Sequence, residues 1–372
     1  MKATHMVQSS DRSGVSRRGW LGAAAALAAI RAVPARAAQH AEVARLSLNE
    51  NAFGPSPTVK SALARGVPDL AHYVEPAEVD ALARQIAALE GVAPEQIVIG
   101  EVLAPLGLFL ARQRPGGGTI VYSTPGYTEL IDAAAPLGGR GVGVPLDARL
   151  ENDLPALAAA IDGTTLALSL VNPHNPSGTV SDPAAFDAFI LAAARRTLVV
   201  VDEAYLEYAD LAGLSAVRHV RAGANILVFR TLAKIYGLAG LPIGYAIAPA
   251  DLARHLRAEG ISAPHSLSRL VLVAARAALA DQAWVAHVRR IVAAERARVT
   301  RALDDRGFRH SDSRASFVFF QPNGSAERAR AAFAAASIQI GRPFPPLQDW
   351  LRITIGRPAE NDRVLRVLRD LR

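Results

Sequence analysis

The chain has 372 residues, 51% hydrophobic and 20% charged, with a formal charge of +7 and no cysteine. That length and balance describe a globular chain with material for one large or two ordinary domains. The lack of thiols excludes disulfides, thiolate catalysis and cysteine-ligated zinc or iron–sulfur centres.

At the N-terminus, Ser16-Arg17-Arg18-Gly19-Trp20-Leu21 precedes an Ala/Gly-rich apolar stretch to Ile30, and Ala35-Arg36-Ala37 follows. A basic segment, a short apolar segment and a small-residue cleavage site, in that order, are the parts of a secretory leader. Paired arginines before a weakly apolar core resemble the twin-arginine (Tat) type, and the run is too short to span a bilayer comfortably. The expectation is a Tat signal peptide over residues 1–37 and a periplasmic mature protein. Removing it takes away six basic residues and one acid, so +7 falls to +2. Much of the basicity belongs to the leader, and the case for a nucleic-acid partner largely collapses with it. No basic helix or aromatic-interleaved RNA-binding motif elsewhere revives that case.

The body reads as alternating elements. Residues 78–90, EVDALARQIAALE, place Val79, Leu82, Ile86 and Leu89 on one helical face, with Gly91 as a stop. Four short β-rich runs follow: TIVYS (119–123), TLALSL (165–170), TLVVV (197–201) and ILVF (226–229), with helical stretches such as 154–161 and 184–194 between them. Near-continuous apolar strands alternating with helices predict an α/β fold with a mostly parallel, helix-covered sheet. After about residue 258 the rhythm changes to helices over 268–304, then SFVFF (316–320), WLRITI (350–355) and a terminal helix. This pattern predicts a smaller α+β domain. The mature chain then divides into an N-terminal arm (38–66), a large domain (67–258) and a small C-terminal domain (259–372).

The segments after the apolar strands carry the chemistry. They are Pro125-Gly126-Tyr127, then Asn172 to Gly178, then Asp202-Glu203-Ala204-Tyr205, and last Arg230-Thr231 with Lys234. In open α/β sheets ligands bind beyond the carboxyl ends of the strands, so these groups are expected on one rim. Lys234 is unusual because only three lysines, Lys2, Lys60 and Lys234, occur among the 41 basic residues. Where charge alone serves, this sequence uses arginine. Lysine's amine can lose its proton in a desolvated site and act as a nucleophile, whereas guanidinium stays charged. A Schiff-base lysine with an aspartate for a pyridinium nitrogen is the pyridoxal 5′-phosphate (PLP) arrangement. Glu203 reads as structural and His174 as a loop variant.

Five motifs in order then carry a resemblance: LNENAFGPSP (48–57), NPHNPSGT (172–179), VDEAY (201–205), TLAKIYGLAGLPIGY (231–245) and LRITIG (351–356). Together they span the mature chain, which resembles the fold-type I PLP-dependent aminotransferases of classes I and II, nearest the histidinol-phosphate aminotransferase group. The resemblance implies a homodimer in which each subunit has a large PLP domain and a small domain. It also implies amino transfer from an amino acid to a 2-oxo acid or similar carbonyl, with no metal. It assigns the Schiff base and proton shuttle to Lys234, and the pyridine nitrogen to Asp202. Asn175 and Tyr205 would bond the ring oxygen, and Tyr127 would stack on the ring. Tyr73, in HYVEP, would reach the neighbouring subunit's phosphate, and Thr231 would hold the phosphate in its own subunit. Arg352 would clamp the substrate carboxylate, a bidentate task suited to arginine, and Arg342 and Asn51 match positions lining the substrate pocket.

The chain departs from that family at the phosphate. Relatives carry a Gly-Asn/Ser-Gly-Ser-Asp-Glu-like turn opening a helix; here the residues are Gly100-Glu101-Val102-Leu103-Ala104-Pro105. Eight residues after the lysine, where an arginine is usual, stands Pro242, with nearby Arg230 the first candidate to replace it. Two other readings stay open on the residues alone: a degenerate PLP-fold protein that binds an amine or amino acid without turnover, and a PLP decarboxylase or lyase. The leader generates its own test. Replacing Arg17 and Arg18 by lysine should hold the protein in the cytoplasm. Equal periplasmic recovery of leader fusions with and without the arginines would remove the Tat assignment.

Overall fold

The computed structural model of the chain describes residues 43–371 apart from Pro115 and Asp210; the leader expected over residues 1–37 lies outside them. The architecture is α/β. A seven-stranded sheet is built from β2 (Ile97–Ile99), β3 (Thr119–Thr124), β4 (Arg140–Pro145), β5 (Thr165–Val171), β6 (Leu198–Asp202), β7 (Ile226–Thr231) and β8 (Gly244–Ile247). The spatial order is β2-β8-β7-β6-β5-β3-β4. All neighbours run parallel except β8, which is antiparallel to both β2 and β7. The four apolar runs read from the sequence are β3, β5, β6 and β7. Every residue of β6 and β7 is buried, as expected for strands covered on both faces.

Outside this sheet, β9 (Arg309–His310), β10 (Phe317–Gln321) and β12 (Leu351–Thr354) form an antiparallel sheet in the order β12-β10-β9. Phe319 lies opposite Arg352 in it. The arm returns to this region, since β1 (Ala44–Leu46) pairs in parallel with β11 (Ile338–Ile340). The helix Arg269–Ala280 packs instead on the helices Pro57–Gly66 and Pro76–Glu90.

The helix expected at 78–90 runs from Pro76 to Glu90, with its first turn closed by reciprocal Glu75 and Glu78 bonds and its end by Gly91 at φ 64°. Val79, Leu82, Ile86 and Ala87 are its buried residues. Leu89 is 44% exposed; it sits in the last turn, past the point where the helix is covered. Among the described residues no helix is long and apolar enough to cross a membrane.

One buried polar cluster ties the strand ends to the helices. Arg230, at the end of β7, reaches Glu203 (3.0 Å), Glu207 (3.5 Å) and Glu90 (3.6 Å). Tyr245 donates to Glu90, Ser215 donates to Glu203, and the Ala216 amide also donates to Glu203. Burial raises the carboxyl pKa of Glu203, and that of Glu207 to about 7, against the pull of Arg230. Removing the cation strands its carboxylates, so Arg230→Met should cost about 3–5 kcal/mol of unfolding free energy. The check is urea denaturation at pH 8 and pH 6. Both carboxyls have raised folded-state values, so the penalty should shrink at pH 6, where more of each is neutral. An equal cost at both pH values would contradict this account.

Candidate active site

A cavity of about 450 Å³ opens at the carboxyl ends of the parallel strands, lined among others by Lys234, Asp202, Asn175, Tyr205, Tyr127, Thr231, Arg342 and Arg352. Alternation along a strand explains part of this set. Thr231 faces the cavity, while its neighbour Arg230 is spent on the carboxylates beneath. Arg230 is therefore not free to replace the arginine missing at Pro242, contrary to the sequence expectation. Pro242 itself is exposed.

Lys234 sits in the turn after β7, its Nζ 3.4 Å from the Leu48 carbonyl and 5.8 Å from the centre of the Tyr205 ring. That turn is clamped by the arm. Gly237, at φ 75°, packs so closely on Gly54 and Pro55 that an added Cβ would lie 2.4 Å from backbone. Asn51 donates to the Ile235 carbonyl at 2.7 Å. Asn51 is thus a staple on the lysine turn and is not among the cavity-lining residues, which differs from the pocket position expected for it. Tyr73 also lies off this cavity. It is 80% exposed, with its ring edge-on to His265.

Asp202 is 6% exposed, and the Ala204 amide (2.9 Å) is the only hydrogen-bond donor to its carboxylate among the described residues. Burial pushes its pKa up to about 7, opposed by that amide and by Lys234. Such a carboxylate calls for a cationic N–H donor. Tyr205 accepts a bond from Asn49 at 2.9 Å and meets Phe317 edge-on. Asn49 is buried at φ 58° and also bonds Thr354, a left-handed conformation that asparagine tolerates.

Arg352 donates to the Asn175 side chain and to the Ser47 carbonyl. Its guanidinium and that of Arg342 each lie 4.9 Å from the ring centre of Phe344. Burial pulls the Arg352 pKa down to about 10, with Tyr205 opposing and Arg342 adding to the fall. No carboxylate forms an ion pair with Arg352 among the described residues. A buried, unpaired guanidinium is suited to receive an anion. His174 and Glu203 are buried outside the cavity lining: His174 Nδ1 is 3.0 Å from Ser177, and Glu203 belongs to the Arg230 cluster.

Among the other lining residues, Asn49, Glu129 and Phe344 were given no role from the sequence, and Glu101 was noted only as part of the altered phosphate turn. Glu129 accepts the Tyr127 hydroxyl bond. Glu101 follows Gly100, whose φ of 139° turns the chain out of β2. The helix Leu103–Arg112 then starts with no side-chain cap at Val102, and Pro105 in its first turn has no amide to donate. No cluster able to hold a metal ion occurs among the described residues.

A doubly covered α/β sheet whose strand ends deliver a lysine and a buried aspartate, sharing a cavity with an arginine of β12 that has no carboxylate partner among the described residues, fits a lysine-dependent enzyme of amino-acid chemistry. The class I and II aminotransferase family model matches residues 41–368. Histidinol-phosphate aminotransferase 2 of Caulobacter vibrioides is 36% identical over 328 residues, 87% of this chain and 85% of that protein. The aromatic amino acid aminotransferase of Mycolicibacterium paratuberculosis is 35% identical over 334 residues, 88% of this chain and 91% of that protein. Among solved structures, histidinol-phosphate aminotransferase from Sinorhizobium meliloti in complex with pyridoxal-5′-phosphate matches with a TM-score of 0.79 at 32% identity, covering 88% of this chain and 91% of that one. The chain belongs to the class I and II aminotransferase family.

The residues present fit PLP. Among the described residues Asp202 lacks a cationic hydrogen-bond partner of the kind a pyridinium nitrogen supplies, and Lys234 and the Thr231 side chain lie in the same cavity. The weak point is charge, because Pro242 provides none and Arg230 is occupied. Pro242→Arg should therefore tighten PLP binding by roughly 1.5–3 kcal/mol, the value of a charged hydrogen bond. The measurement is PLP affinity at fixed ionic strength. Equal affinities in two well-folded proteins would show that the phosphate is already neutralised.

Proposed function

We propose that this aminotransferase, whose cofactor is pyridoxal 5′-phosphate, takes an α-amino acid by its carboxylate on Arg352 and passes the amino group to a 2-oxo acid. The observation that carries this reading is the shared cavity of Lys234, Asp202 and Arg352. When bound, PLP supplies an electron sink that stabilises the negative charge left at the substrate's α-carbon. Lys234 anchors the cofactor, and its amine, once released, takes the α-proton and returns it one position away. Asp202 holds the pyridine nitrogen protonated; a cation delivered to this desolvated carboxylate restores its ionised form. Tyr127 presents its ring to the cofactor, fixed through Glu129. Asn175 and Tyr205 direct their polar atoms to the ring oxygen, each held by a second residue, Arg352 and Asn49 respectively.

Thr231 and the helix end at Leu103 take the phosphate, with Tyr73 contributed by a second copy of the chain. Exposed apolar side chains on the arm and the segment after it, Val43, Leu48, Val67 and Leu70, support such a homodimer. Arg342 faces the distal part of the substrate. The twin arginines and the segment after them support export of the folded, loaded enzyme to the periplasm.

The decisive variant is Lys234→Arg, which keeps the charge but cannot form the covalent link. It should fold normally and lose turnover completely. Near-normal amino transfer by that variant would end the proposal. With wild-type enzyme and an amino acid alone, about one 2-oxo acid should form per subunit. Carbon dioxide release in its place would indicate a decarboxylase.

A further inference from the structure

The cavity has an acidic wall that the reaction described above does not use fully. Glu101 and Glu129 both line it, and neither forms an ion pair among the described residues. Glu129 has the Tyr127 hydroxyl; Glu101 has no hydrogen bond of its own beside the uncapped end of the ten-residue helix Leu103–Arg112. The fold places it there. Gly100 donates to the Gly244 carbonyl and turns the chain at φ 139°, bringing residue 101 to the rim where β6 and β7 end.

Several groups determine the charge that Glu101 feels. Glu129 comes from the helix Glu129–Ala134, Tyr127 from the loop after β3, Asp202 from β6, and Lys234 from the turn after β7. On the far side, Ile261 packs on Gly100, and Arg257 is occupied by the Ile97 and Glu95 carbonyls. Although Glu101 as a residue is exposed, burial of its carboxyl raises its pKa; Glu129 raises it further and Lys234 opposes. Lys234 is the cation that acts on Glu101, while Arg342 and Arg352 line the same cavity beside Phe344. A phosphate monoester near neutral pH adds close to two more negative charges, its second ionisation lying near pH 6. Helix amides attract it, but two carboxylates beside them repel it.

We propose that Glu101 is a cofactor-binding residue that acts in its acid form, donating a carboxyl hydrogen bond to the phosphate at the uncapped helix end. This rests on the PLP reading above. It adds a neutral donor to those of Thr231 and the helix end, where Pro242 gives no charge and Arg230 is occupied. One proton is taken up with the phosphate, so binding is favoured as pH falls through the ionisation of Glu101. The linked slope is at most about tenfold in affinity per pH unit for one proton.

The test compares PLP with pyridoxal, which lacks the phosphate but forms the same link to Lys234. Dissociation constants of both are measured from pH 6 to 9 at fixed ionic strength for wild type, Glu101→Gln and Glu101→Ala, with folding checked by circular dichroism. The quantity read is the preference for PLP over pyridoxal, which cancels the chemistry at Lys234. The phosphate's own ionisation gives a slope common to all three proteins. In wild type the preference should fall more steeply with rising pH than in either variant. Glu101→Gln, which keeps a donor and removes the charge, should exceed wild type at the alkaline end of the range, by a margin that narrows as pH falls. Glu101→Ala should fall several-fold below wild type at pH 6. If the alanine variant equals or exceeds wild type there, Glu101 only repels and the proposal is wrong. Identical profiles in the three proteins also overturn it. Borohydride fixation separates the two levels: cofactor fixed on Lys234 with no effect of Glu101 sinks this inference alone, whereas no fixation on Lys234 in wild type sinks the PLP reading and this inference together.

Discussion

Asp202 and Glu203 are adjacent in the chain and leave the end of β6 toward opposite sides. Asp202 faces the cavity with a single amide bond to its carboxylate; Glu203 enters a cluster with Arg230 that has almost no access to water. The same alternation at the end of β7 sends Thr231 to the cavity and Arg230 to the cluster. The two sides depend on each other. Burying a carboxylate with one donor is costly, and the strand end must be held rigidly enough to keep it there. The Arg230 cluster provides that hold, linking β7, β8, the segment after β6 and the helix Pro76–Glu90 through charged bonds.

The arm contributes a second layer of positioning. Asn51 grips the lysine turn, Asn49 grips Tyr205, and the Ser47 carbonyl takes a bond from Arg352. Three groups of the site, drawn from β7, β6 and β12, are therefore set by one short stretch of chain. Because β1 pairs with β11, this stretch follows the C-terminal strands, and a shift of those strands would be felt at Lys234, Tyr205 and Arg352 together.

Much of the sheet was legible in the sequence because β3, β5, β6 and β7 are apolar runs separated by helices. The strands that escaped notice have physical reasons. β4, RGVGVP, is an edge strand, mostly open to water and carrying two glycines, so it reads as a loop. β2 has only three residues, and β8 enters antiparallel after a glycine-rich turn, without a helix to announce it. In the site, Lys234 and Asp202 were expected on one rim from residue type and strand position, and Arg352 from the resemblance; all three line one cavity. Asn51 was misplaced because proximity in a motif does not fix which way a side chain bonds. Glu129 carries no sequence signal, since glutamates at helix starts are common, and Glu101 stood out only as part of the altered phosphate turn; the fold brings the two to one cavity.

The cavity is polar in its charge as well as its chemistry. Arg342 and Arg352 form one wall, joined through the face of Phe344, while Asp202, Glu101 and Glu129 form another, with Lys234 lining the same space. Two unit charges 4 Å apart interact by about 4 kcal/mol at the effective dielectric of a protein surface site. A substrate carboxylate turned away from the arginines would lose that attraction. Orientation is thus set before any contact with the substrate's side chain. On the proposed reading, an α-carboxylate held by Arg352 leaves the neighbouring amino group on the side of Lys234, which lines the same cavity. An enzyme that accepts several side chains can keep one reaction geometry in this way, because the groups that orient the substrate are those every α-amino acid carries.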